Sequence, residues 1–88
     1  DAHTATLLGA AYLLSHLQDE FFGTVKFCFQ PAEEASDGGA EAMVHDGVLQ
    51  DPKVDFAIGM HVSPAKPVGY AAIEPGPITA YPDFFSIT

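Results

Sequence analysis

The sequence predicts an α/β fold, built from βαβ units around a mainly parallel sheet. Three observations lead there: a helical apolar stripe in residues 4–20, two short β-rich runs at residues 24–29 and 54–60, and a second helical stretch between those runs. Strand, helix and strand in that order form a crossover, and a crossover makes its two strands parallel.

In the first helix, Leu7, Leu8, Ala11, Leu14 and Leu17 fall on one face, which Tyr12 and Leu13 widen. That spacing predicts a well-buried helix. Asp1 or Thr4 suits its N-cap, and Gly23 suits the turn that follows. Gly9 lowers helix propensity and marks a place for close packing. Residues 24–29 read as a strand bounded by Gly23 and Pro31, with Cys28 inside it as a small buried hydrophobe. Residues 37–46 read as the second helix, with Ala40, Met43 and Val44 on one face. Gly47 then sits where a left-handed residue ends a helix, with Val48 as the hydrophobic closure. In residues 54–60, Val54, Phe56, Ile58 and Met60 alternate with Asp55, Ala57 and Gly59, the period of a strand. Beyond Pro64 the prolines at 67, 75, 77 and 82 break the chain into short β-like pieces near 68–73, 78–81 and 84–88. Prolines at that density favour edge strands and turns.

A chain of 88 residues allows at most one small domain, and 48% hydrophobic residues suffice for a core. Twelve acidic residues face three lysines and no arginine, a net charge of -9. That balance argues against nucleic acid and against an anionic membrane surface as partners. It suits a cation site or a plain solvated surface. The one cysteine excludes an intrachain disulfide and is compatible with a cytoplasmic location. No apolar run approaches the ~18–20 residues of a membrane helix.

Chemistry is expected where polar segments leave the sheet. Gln30-Pro31-Ala32-Glu33-Glu34 follows the first strand candidate, and Met60-His61-Val62 ends the second. Ligands of parallel sheets bind outside the carboxyl ends of the strands, so both segments are expected on one edge. Asp1-Ala2-His3-Thr4, opening the first helix, is expected at the same edge. Adjacent glutamates suit a division of labour. One carboxylate can bind a metal, while the other takes a proton from a water that the cation has made more acidic. His61 can offer a neutral imidazole. On spacing alone, an acidic pair in a loop is more often a solvated surface feature, and a lone histidine is more often a satisfied structural one.

These segments resemble a known family. Asp1-Ala2-His3-Thr4-Ala5 leading into Leu7-Leu8-Gly9-Ala10-Ala11, then Phe29-Gln30-Pro31-Ala32-Glu33-Glu34, then Gly59-Met60-His61-Val62, resemble the amidohydrolase branch of the zinc aminoacylase/carboxypeptidase family. That branch contains hippurate hydrolase, N-acyl-amino-acid amidohydrolases and the plant indole-acetyl-amino-acid hydrolases. Gly76-Pro77-Ile78-Thr79-Ala80 followed by Asp83-Phe84-Phe85 resembles the passage from its catalytic domain to its lid.

The resemblance implies that residues 1–80 are part of a larger metallopeptidase-like catalytic domain, and that 81–88 begin the connection to a lid and dimerisation domain. It implies Glu33 as general base, with Glu34 and His61 as metal ligands. Asp1 and His3 match the tail of a Cys-Gly-His-Asp-x-His motif, whose cysteine and first histidine would precede Asp1. They are therefore candidates for orienting the ligands. The implied cofactors are two divalent ions of zinc, manganese or cobalt. The implied substrate is an N-acyl amino acid or dipeptide-like amide, and the implied assembly is a homodimer through the lid. The 88 residues by themselves are expected to be inactive. The competing expectation is a non-catalytic binding module, a degenerate relative of the same fold.

Overall fold

The computed structural model describes residues 1–34 and 38–80. The expected start of the second helix at Asp37, the β-like piece at 84–88 and the connection at 81–88 lie outside the described residues.

Helix α1 spans Ala2–Ser15. Asp1 is its N-cap, through its carbonyl, which accepts the Ala5 N–H at 2.9 Å. The expected helix over 4–20 is thus in place but stops early, followed by a single 3-10 turn at Gln18–Glu20. The cause is local. The Tyr12 carbonyl, which the His16 backbone N–H would take in a continuing helix, accepts the Ser15 hydroxyl at 2.7 Å and His16 Nδ1–H at 2.8 Å. The His16 and Leu17 N–H groups turn instead to Leu13 and Leu14, each at 3.1 Å. Side chains that compete for backbone acceptors in this way end helices.

Helix α2 spans Gly39–His45. Its end follows the expectation closely. Gly47 has φ of 84°, its N–H donates to the Val44 carbonyl at 3.0 Å, and the Val48 N–H reaches back to the Met43 carbonyl at 3.0 Å. This pair of bonds is the Schellman motif, and it uses carbonyls that would otherwise be orphaned.

The expected parallel sheet is absent. Among the described residues there are two α-helices and one 3-10 turn, and no strand. Residues 24–30 and 56–63 carry no ladder pairing. The period of two at 54–60 is present in the sequence, but a strand exists only through a partner's N–H and C=O groups. Parallel strands also need both faces covered. Here Phe56 is 91% exposed and Ile58 99% exposed. What ties the first run to the segment after α2 is a charge and not a ladder: Lys26 Nζ donates to the carbonyls of Val48 and Asp51, both at 2.8 Å.

Two smaller expectations are corrected with the sheet. Cys28 is exposed, since no neighbouring strand covers it. Helix α1 has no buried residue: Leu7, Ala11 and Leu14 are half-buried, while Leu8, Tyr12 and Leu13 face solvent. Ala11, Leu14, Phe21, Val25 and Phe27 line an open groove of about 370 Å³. The chain exposes 8685 Å². A compact chain of this length would expose about 5,000 Å². Its Cα radius of gyration is 15.9 Å, against about 12 Å for a compact domain. No helix among the described residues is long and apolar enough to cross a membrane.

Candidate metal-binding and catalytic residues

His3 lies in the first turn of α1, and His61 follows the second extended run. They meet across 58 residues of sequence, with His3 Nε2 at 2.8 Å from His61 Nδ1. The Val62 backbone N–H donates to the same His3 Nε2 at 3.0 Å. The ring centroids are 4.8 Å apart and the planes are inclined by 30°. With the two nitrogens in hydrogen-bond contact, the rings meet edge to edge. Both histidines are exposed. Of the three segments expected at one edge, the structure therefore brings two together.

The third segment is shaped by its backbone. The chain bends at Pro31, Ala32 takes φ of 52°, and Glu33 and Glu34 follow in a turn with exposed side chains. A left-handed alanine costs roughly 1–2 kcal/mol. Gly39, the first residue of α2, is buried against this bend. A Cβ built on it would stand 1.9 Å from the Pro31 carbonyl oxygen. The close approach of α2 beneath Pro31 thus fixes the bend that presents the two glutamates.

Sequence reasoning overlooked Gly39, although the Gly38-Gly39 doublet before an apolar helical stretch signals close backbone contact. It also overlooked the Val62 N–H, because a backbone donor leaves no mark in the sequence.

In donor type, these side chains suit a divalent ion: carboxylates in a turn and an imidazole with an accessible edge. Among the described residues, however, no group of three or more His, Cys, Asp or Glu is placed to hold a metal. Glu33 and Glu34 therefore do not join the His3–His61 pair. Asp1 is exposed at the start of α1, and its side chain makes no capping hydrogen bond.

The sequence of residues 1–85 matches peptidase family M20/M25/M40. The chain belongs to that family. The match bears out the resemblance drawn from the Gln30–Glu34 and His61 segments. The chain is 46% identical over 88 residues to thermostable carboxypeptidase 2 of Saccharolobus solfataricus, covering 99% of this chain and 22% of that protein. It is 46% identical over 87 residues to an N-acyl-L-amino acid amidohydrolase of Geobacillus stearothermophilus, covering 99% of this chain and 23% of that protein. It is 45% identical over 85 residues to IAA-amino acid hydrolase ILR1-like 4 of Arabidopsis thaliana, covering 97% of this chain and 19% of that protein. The chain thus spans about a fifth of the length of these relatives. No solved structure matches it.

Proposed function

We propose that the whole protein of which these residues form part is a metal-dependent hydrolase, cleaving the amide bond of N-acyl amino acids or related small amides. The observation that carries this reading is the family match over residues 1–85, with relatives named as a carboxypeptidase, an N-acyl-L-amino acid amidohydrolase and an IAA-amino acid hydrolase. The glutamate turn and the histidine pair both lie inside the matched residues.

Two divalent ions of zinc, manganese or cobalt, when bound, would polarise the amide carbonyl and acidify a water. Glu33 takes the proton from the attacking water as the new C–O bond forms. It returns that proton to the amine nitrogen as the C–N bond breaks. The products are a carboxylic acid and a free amino acid. Glu34 offers a carboxylate and His61 a neutral imidazole as ligands, while Asp1 and His3 help to orient the ligands. A turn suits this division of labour, because adjacent side chains on an extended backbone point to opposite sides. The lone cysteine fits a reducing, cytoplasmic compartment. Dimerisation through a lid domain completes the reading.

The test is release of free amino acid by the intact protein from a panel of N-acetyl and N-benzoyl amino acids, with added divalent metal and with chelator. Release that chelator abolishes supports the hydrolase. No release from any substrate, with metal bound, would favour the non-catalytic binding module.

A further inference from the structure

Among the described residues, one side chain ties the segment that carries the glutamate turn to the rest of the chain. Lys26 Nζ donates to the carbonyls of Val48 and Asp51, and no other hydrogen bond there joins residues 24–34 to another part. The second attachment, Gly39 beneath Pro31, is a steric contact. It sets how near the bend can come to α2 but does not hold it there. The two contacts lie at opposite ends of the run, since an extended chain from Lys26 to Pro31 covers about 16 Å. They also lie at opposite ends of α2, which Gly39 opens and Val48 closes. A segment held at one end pivots, whereas one held at both ends keeps its register. The anchor for Lys26 is itself braced: the N–H groups of Val48, Gln50 and Val54 donate to the carbonyls of Met43, Gly47 and Leu49 at 2.9–3.0 Å. Lys26 is half-buried, and hydrogen bonds from a charged donor are roughly twice as strong as neutral ones.

We infer that Lys26 is a positioning residue: by bridging the Val48 and Asp51 carbonyls it clamps the run against α2 and so holds the Glu33–Glu34 turn in place. This rests on the proposed role of Glu33 as the base, and it names the group that positions that base. Glu33 and Glu34 follow closely after Pro31, so any slide of the run carries them along. The ammonium acts on the turn through the backbone between them. Its loss therefore bears on the chemical step and not on substrate binding. A drift of about 1 Å in a catalytic group costs roughly 10²-fold in rate.

The experiment compares the intact native protein with Lys26→Met, which keeps the apolar stem without the donors, and with Lys26→Arg, whose guanidinium can donate to both carbonyls. Brief digestion with a glutamate-specific protease reads the clamp without reference to activity. Lys26→Met is expected to raise cleavage after Glu33 and Glu34 about tenfold or more, relative to cleavage after Glu20 and Glu74, which lie outside the clamp. Its kcat for an N-acyl amino acid is expected to fall about 10–100-fold with KM near native. Lys26→Arg is expected to restore both readouts. An equal rise after all of these glutamates, no rise after Glu33 and Glu34, or a native kcat in Lys26→Met would overturn the inference. A rise confined to Glu33 and Glu34, in a protein whose native form hydrolyses no amide, would leave the clamp standing and sink the hydrolase reading.

Discussion

Replacing Gly39 by alanine sets two physical effects against each other, and the structure decides between them. Gly39 is the first residue of α2, in a backbone conformation open to any L-residue. Propensity alone favours alanine there by up to about 1 kcal/mol. The added Cβ, however, would stand 1.9 Å from the Pro31 carbonyl oxygen and 2.8 Å from its carbon, both backbone atoms. Reaching the 3.0 Å below which such contacts are essentially never seen needs a retreat of about 1.1 Å. Overpacking of this kind costs about 1–3 kcal/mol, so the clash outweighs the propensity. The displaced bend carries Glu33 and Glu34. A misplacement of about 1 Å in a catalytic group costs roughly 10²-fold in rate. The assay is kcat/KM for the best N-acyl amino acid, beside the urea midpoint of the intact protein. Gly9→Ala is the control, since a Cβ on Gly9 within α1 meets nothing within 4 Å. It is expected to stabilise by about 0.5–1 kcal/mol without loss of activity. Gly39→Ala behaving like Gly9→Ala in both readouts would refute the reasoning.

Three further outcomes follow from the same structure. Lys26→Met keeps the apolar stem but removes both donations to the Val48 and Asp51 carbonyls; it is expected to lower unfolding free energy by about 1–3 kcal/mol, read from urea denaturation. Gly47→Ala forces a Cβ into a residue at φ of 84° and is expected to cost about 1–2 kcal/mol, visible as a lower urea midpoint with the slope unchanged. Ala32→Val places a branched side chain at φ of 52° and is expected to reduce kcat/KM together with stability, whereas Ala32→Gly leaves kcat/KM close to native.

Local features were the ones legible in the sequence. The apolar stripe located α1, and Gly47-Val48 announced the end of α2, because the information for a helix and its cap lies within a few residues. The sheet was misread for the opposite reason. Alternation at 54–60 states only which residues share a face, while pairing requires a second backbone and a cover for both faces. The described residues supply neither, and Phe56 and Ile58 stand in solvent. The site divides in the same way. Glu33, Glu34 and His61 were singled out by residue type and order, and the meeting of His3 with His61 agrees with the expected convergence. The expectation that Glu33 and Glu34 reach the same place is not met among the described residues. The device that shapes their turn, Gly39 against Pro31, depends on a contact between backbone atoms that no periodicity reveals.

The division of labour between the two adjacent glutamates is tested most directly by comparing Glu33→Gln with Glu34→Gln in the intact protein. Bound divalent metal and turnover of an N-acyl amino acid are measured on the same samples. Glu33→Gln is expected to keep its metal content and lose turnover by 10²-fold or more, the contribution typical of a positioned base (about 10²–10⁴). Glu34→Gln is expected to lose both. Retained turnover in Glu33→Gln, or loss of metal from Glu33→Gln with full metal content in Glu34→Gln, would contradict the account.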